Sequence, residues 1–177
     1  STQKNAVRYW RWPYWDKESL YFVSSTALGA TETVKLRLYG DRFDNEVTSY
    51  TNATYTTRRT SGQGSVATGR SIYHDRTSGG AVEVESRRFA GHLLRGVLQQ
   101  RGDRHEEVDA NAVRGALFED TLRSFGVEDL FDIAEHWQLS LGGARHELKP
   151  DAVFSSSSAY GLPETTRATN LQAGIFH

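Results

Sequence analysis

Two stretches of this chain hold the residue types that acid–base or nucleophilic chemistry uses. His74-Asp75 stands close to Ser71, which supplies the types of a Ser-His-Asp triad, although a triad is defined by geometry rather than by type. Glu83 and Glu85 stand two apart, so on a strand they share one face, as the paired carboxylates of general acid and base catalysis do. Together these residues define one candidate, a small hydrolase or isomerase working in a cleft of a sheet. Among the six histidines, His74, His92, His105, His136, His146 and His177, no two have the spacing of a helical metal pair. His105 with Glu106 and Glu107 offers ligands for a cation, but a solvated polar turn produces the same set. Neither Gly62/Gly64 nor Gly79-Gly80 is followed by the Lys-Ser/Thr of a phosphate cradle. Arg101-Gly102-Asp103 and the sequon Asn52-Ala53-Thr54 are short patterns that arise by chance. No catalytic or metal-binding residue is assigned, and no cofactor is expected.

Aromatic and basic residues are the other chemistry on offer. Tyr9-Trp10-Arg11-Trp12-Pro13-Tyr14-Trp15 places five aromatics and a proline in seven residues. Such rings stack on sugars or bases, or fill a core or a groove between subunits. The first option gives a carbohydrate-binding module using Trp10, Trp12 and Trp15, and the second gives subunit contacts by the same three residues. Lys35, Arg37, Arg58, Arg59, Arg70 and Arg76 are interleaved with Tyr39, Tyr50, Tyr55 and Tyr73. Cations meet phosphates and aromatics stack on unpaired bases, so a sheet face of this makeup suits RNA.

The elements that position these residues follow from the composition and its pattern. With 177 residues and no cysteine, the chain is long enough to bury a core without disulfides, and thiolate chemistry and Cys-based zinc sites are excluded. Its hydrophobic fraction of 37% is low, which suggests an extended shape. No apolar run approaches the roughly 18 residues of a membrane span, so a soluble protein with no membrane partner is expected. The formal charge of −1 hides an asymmetry: residues 1–104 hold 16 cations and 10 anions, residues 105–177 hold 5 and 12. A basic face for an anionic partner and an acidic part elsewhere are implied.

Alternation of Val34, Leu36 and Leu38 with Lys35, Arg37 and Tyr39 is the plainest strand signal. Residues 20–23, 47–57, 65–74, 81–85 and 89–100 read as further strands, with residues 58–64, 75–80 and 99–107 as loops or turns. From Asp109 the period changes. Val113, Leu117, Phe118, Leu122 and Phe125 recur at helical spacing, with Asp109 as N-cap and Gly126 as terminator. Val127, Leu130, Phe131, Ala134 and Trp137 repeat that spacing. Pro150, Ser155 to Ser158, Gly161 and Pro163 then oppose regular structure. The expected fold is α+β: an antiparallel β-sheet meander followed by two short C-terminal helices and an irregular tail. An aromatic arm over residues 1–19, one domain over 20–143 and an extended tail over 144–177 are expected.

This order of elements resembles the coat proteins of small single-stranded RNA bacteriophages, with residues 89–100 as the last strand, 99–107 as a polar turn, and 110–125 and 127–137 as the helices. The resemblance covers about residues 20–138. It implies a self-assembling structural protein, a viral coat subunit rather than an enzyme, that forms a homodimer and then a shell, in the virion or the host cytoplasm. It makes Lys35, Arg37, Arg58, Arg59 and Arg70, with Tyr73 beside them, candidates for RNA contact through the sheet face. Leu117, Leu122, Phe125, Leu130, Phe131 and Trp137 on the helices become subunit contacts, joined by Trp10, Trp12 and Trp15 of the arm.

Overall fold

A computed structural model of the chain describes residues 3–5, 8–61 and 68–177. The strands in it are β1 Gln3–Asn5, β2 Trp10–Trp12, β3 Trp15–Leu28, β4 Glu32–Ser49, β5 Arg70–Ser86, β6 His92–Asp109, β7 Arg114–Ala134, β8 Trp137–Ser155 and β9 Thr166–Phe176. They form one antiparallel sheet in the order β1-β2-β4-β5-β6-β7-β8-β9, with β3 continuing the lane of β2 along β4. From β3 onward every strand pairs with the next in sequence. The connections at one end are short, residues 29–31, 87–91 and 135–136, and those at the other end are residues 50–69, 110–113 and 156–165. Gly29 (φ 83°) and Gly91 (φ 78°) lie in two of the short turns, where a left-handed backbone favours glycine.

The two expected helices are absent: among the described residues there is no α-helix, and residues 109–137 are the end of β6, the whole of β7 and the start of β8. Apolar residues stand on both faces of β7, with Leu117, Phe125, Val127 and Phe131 on one and Phe118, Leu122 and Leu130 on the other. That arrangement generates i, i+3 and i+4 recurrences without a helix. Hydrogen bonding along both edges, to β6 and to β8, decides the outcome. Asp109, expected as an N-cap, instead accepts from the backbone N–H of Asn111 (2.8 Å) and Val113 (2.9 Å) to close the β6–β7 turn. Gly126, expected as a helix terminator, sits mid-strand opposite Ala144.

The expected loops at 75–80 and 99–107 lie inside β5 and β6, and the expected irregular tail holds most of β8 and all of β9. Pro150, which lacks an N–H, is accommodated where the β7–β8 register shifts between Glu119 and Asp120. The strand expected at 47–57 ends at Ser49. The Gly62/Gly64 loop lies outside the described residues.

Among the described residues no second layer covers the sheet. The buried apolar residues among those described are Val47, Tyr50, Leu93 and Ala116, and the fully buried side chains are the small ones of Thr48, Ser49 and Ser71. Burial concentrates at residues 44–50, where β2 and residues 55–59 fold over the end of β4. The accessible surface is 11701 Å², against roughly 8,700 Å² for a folded monomer of 19.9 kDa. This excess of about a third is the signature of a sheet one strand thick.

Candidate functional site

Because side chains alternate across a strand and directly paired residues share a face, the registers sort every strand residue onto one of two surfaces. The polar face carries a ladder of ions. Lys35 Nζ lies 2.9 Å from Glu83 and 3.0 Å from Glu85. Arg95 bridges Glu85 (2.9 Å) to Glu128 (3.3 Å), and Glu128 accepts from Ser140 Oγ at 2.8 Å. Val97, Gly126 and Ala144 floor a depression of about 390 Å³ between these groups. Glu83 first and then Glu85 hold the Lys35 ammonium above its ordinary pKa, and the same lysine, with Arg95, holds Glu85 below the usual carboxylate range against its own desolvation.

Further along this face His105 lies between the rings of Tyr73 (5.8 Å) and Phe118 (6.1 Å). Its Nε2 is 3.3 Å from Glu107 and its Nδ1 is 2.5 Å from Asp75. The hydrogen bond to Glu107, then that to Asp75, raises its pKa from 6.5 to about 9, overcoming partial burial.

The opposite face is divided. From the short-turn end it is apolar except for Asp129, which lies between Leu94 and Leu141: Val34, Leu36 and Leu38 on β4; Val84 and Val82 on β5; Leu94 and Leu98 on β6; Phe131, Val127 and Phe125 on β7; Leu139 and Leu141 on β8; Ile175 and Leu171 on β9. Leu98 is 60% exposed and Leu171 86%. His92 stacks on Phe131 and binds Asp129 at 2.9 Å near the short turns. Beyond the band, towards the longer connections, the face becomes charged. On each of β4 to β9 the first charged residue past the apolar run is an arginine: Arg42, Arg76, Arg104, Arg123, Arg145 and Arg167. Asp44 ties Arg42 (2.6 Å), Arg76 (2.9 Å) and His74 (2.8 Å) together. Burial pushes that carboxyl up, but hydrogen bonds from His74, Arg76 and Arg42 outweigh it and hold it well below the carboxylate range.

The band runs obliquely to the hydrogen-bonded rows. Leu36, central on β4, connects through Val82 to Leu98, whereas Ala173, central on β9, connects through Leu141 and Asp129 to Leu94. Over five strand steps the band slips four residues along β6. About 13 Å of slip over about 24 Å of width puts the strands roughly 30° from the normal to the band, near the tilt of strands in closed barrels.

The sequence candidates separate on this frame. His74 and Asp75 point to opposite faces, one to Asp44 and the other to His105, so they do not form one site with Ser71. Glu83 and Glu85 share a face and both clamp Lys35. Glu106 faces away from His105 and Glu107, pairing with Arg104 and Arg114. Lys35, Arg37 and Tyr73 lie on the polar face, Arg70 on the other beside Glu46 (3.0 Å), and Arg58 and Arg59 in the 50–69 connection. Trp10 and Trp12 meet edge to face at 6.0 Å, the Arg8 guanidinium lies over the Trp10 ring, and Trp15 packs on Phe43. Phe125, Phe131 and Leu117 share the apolar side of β7, Leu122 and Leu130 the polar side, and Trp137 opens β8. Sequence reasoning missed Arg104, Arg123, Arg145 and Arg167; the signal was alternation in residues 92–98, 125–131 and 139–143, each run ending towards an arginine.

Comparison with protein-family models, with curated proteins and with solved structures gives no match. Among the described residues no helix is long and apolar enough to cross a membrane.

Proposed function

We propose that this sheet is an arc of the wall of a membrane-spanning β-barrel, with the banded face against lipid and the ion-paired face lining a water-filled interior. The observation that carries this reading is the oblique apolar band on one face of a single-layer sheet. Across six strands the band measures roughly 30 Å by 20 Å, on the order of 600 Å², at the upper end of what soluble monomers expose. At about 25 cal/mol per Å² it forfeits some 15 kcal/mol if left in water, as much as the whole stability of a typical domain. Something apolar covers it. Hydrocarbon fits better than a second sheet because the band occupies only part of strands 17 to 21 residues long (β4 to β8) and stops at charge. Seven residues from His92 to Leu98 span about 23 Å of strand, which at the inclination of about 30° gives a height of about 20 Å, against about 25 Å for the apolar belt of membrane barrels. The connections at one end have three, five and two residues, while the other end has connections of 20 and ten residues beside the four-residue turn 110–113, and two long connections on one side agree with that architecture.

The alternating directions of β3 to β9 leave both free edges running the same way. A closed antiparallel ring has an even number of strands, so closure around this arc takes an odd number of further strands. Such a strand would run beside β3 in the lane whose end β1 occupies next to β2.

The shell-subunit reading drew on an antiparallel meander followed by two helices; the meander is present, the residues expected as helices are strand, and the oblique band has no role in that reading. The expectation of no membrane partner considered only continuous apolar runs, which strands alternating between lipid and water do not have. Flotation of the refolded chain with phosphatidylcholine vesicles tests the proposal. Co-flotation that resists high salt is expected; a chain that stays monomeric and lipid-free at the bottom of the gradient contradicts it.

A further inference from the structure

We infer that the lipid-facing surface carries a site for one phosphate-bearing lipid, with the headgroup held by Arg123 and Arg145. This rests on the membrane-wall reading and goes beyond it. Of the six arginines bordering the band, Arg42, Arg76, Arg104 and Arg167 are paired with Asp44, Glu106, Glu119 and Glu147. Arg123 donates only to the neutral amide oxygen of Gln100 at 3.3 Å, and among the described residues neither Arg123 nor Arg145 has a carboxylate within 4.0 Å. The two sit on adjacent strands one row apart, since Arg145 pairs with Phe125 and Arg123 with Glu147. They are therefore the two border arginines without a carboxylate in direct contact, although Glu147 stands opposite Arg123 and the charge of Arg123 is felt at Asp151.

Below them lies a groove of about 540 Å³ whose floor includes Leu36, Leu38, Gly80, Val82, Leu98 and Phe125. At its edge the Leu38 side chain lies over Gly80, where a Cβ would stand 2.7 Å from Leu38 Cδ2. The groove, the size of a small-ligand site, runs from the band to Arg123 and Arg145, with Glu147 also on its rim but engaged by Arg167 at 2.8 Å, and matches an acyl chain below and a phosphate above. Guanidinium groups bind phosphate oxygens bidentately, and their position at the edge of the hydrocarbon is where lipid phosphates lie. The ligand chemistry is thus an anionic phospholipid rather than a soluble phosphate, which has no use for the trough.

The test is flotation of the full chain with phosphatidylcholine vesicles, with and without phosphatidylglycerol, and with inorganic phosphate as competitor. Each cation near an anionic surface contributes about fivefold in affinity, so Arg123→Ala with Arg145→Ala is expected to lower binding to the phosphatidylglycerol vesicles about 25-fold, leaving binding to phosphatidylcholine alone unchanged. Arg37→Ala, on the opposite face, is expected to change neither. A double variant that keeps the preference for phosphatidylglycerol overturns the site, as does a wild-type chain that binds both vesicles equally; the membrane-wall reading survives both results. Loss of the preference in millimolar inorganic phosphate, at constant ionic strength, also overturns it in favour of a plain anion site. Wild-type chain that binds neither vesicle removes the membrane-wall reading, and the site with it.

Discussion

Leu98 and Gln99 are consecutive in β6 and stand in different surroundings: Leu98 lies between Val82 and Phe125, Gln99 between Ala81 and Ser124. The same one-residue switch recurs along the oblique band, and it gives the two faces opposite tolerance to charge. Gly96→Arg, in the middle of the band on β6 where nothing lies within 4 Å of a Cβ, is expected to cost about 2–4 kcal/mol of stability in a phospholipid bilayer, because it places a cation in the hydrocarbon, while Gln99→Arg costs under about 1 kcal/mol. Urea titration of the two variants folded in vesicles measures the difference.

The Tyr39 ring covers Gly79, where a Cβ would stand 2.7 Å from both the Tyr39 hydroxyl and the Gln100 carbonyl oxygen. Gly79→Ala is therefore expected to destabilise the β4–β5–β6 sheet by about 1–3 kcal/mol. Gly40, one position along from Tyr39, meets nothing within 4 Å, and Gly40→Ala is expected to be neutral or to stabilise by up to about 1 kcal/mol through the unfolded state. Denaturant midpoints of the pair separate steric fit from a general intolerance of glycine replacement.

How much of this was legible in the sequence depends on which face a segment presents. Val34, Leu36 and Leu38 alternate with Lys35, Arg37 and Tyr39, so β4 could be read directly. Residues 109–137 could not, because β7 carries apolar side chains on both faces and its hydrogen bonds go to strands distant in sequence. The polar stretches 75–80 and 99–107 imitate turns for a related reason: Arg76, Asp103, Arg104 and Glu106 find partners across the sheet, and no core demands an apolar residue there. The ion ladder was half visible, since Glu83 and Glu85 stood out as a pair, but Lys35 and Arg95 join them only through the register. The arginine border was hidden because it becomes a line only when six strands are aligned.

The ladder makes its own prediction. Lys35→Met leaves Glu85 with Arg95 as its remaining partner and removes the largest influence holding its carboxyl down. The Glu85 pKa is expected to rise towards the ordinary glutamate value, as read from carboxyl carbon shifts in an NMR titration. A Glu85 pKa that does not move would place Lys35 outside the ladder in solution.

His105 gives the pH dependence. Its pKa rises on folding from 6.5 to about 9, so its charged form supports the fold fully below about pH 6.5, and the support is lost as pH rises through about 9. Unfolding midpoints of the wild-type chain are expected to fall between those limits, and His105→Gln is expected to flatten that part of the profile. A His105 resonance that titrates near 6.5 would contradict the paired geometry with Glu107 and Asp75.

The central claim is that one face of the sheet meets hydrocarbon and the other meets water, and the absence of native cysteine allows a direct test. Single cysteines introduced at each position from 94 to 99 of β6, spin-labelled and reconstituted in phosphatidylcholine vesicles, report accessibility to oxygen in lipid and to a water-soluble nickel chelate. The account predicts strict alternation, with oxygen favoured at positions 94, 96 and 98 and the chelate at 95, 97 and 99. Equal chelate access at both sets of positions would contradict it.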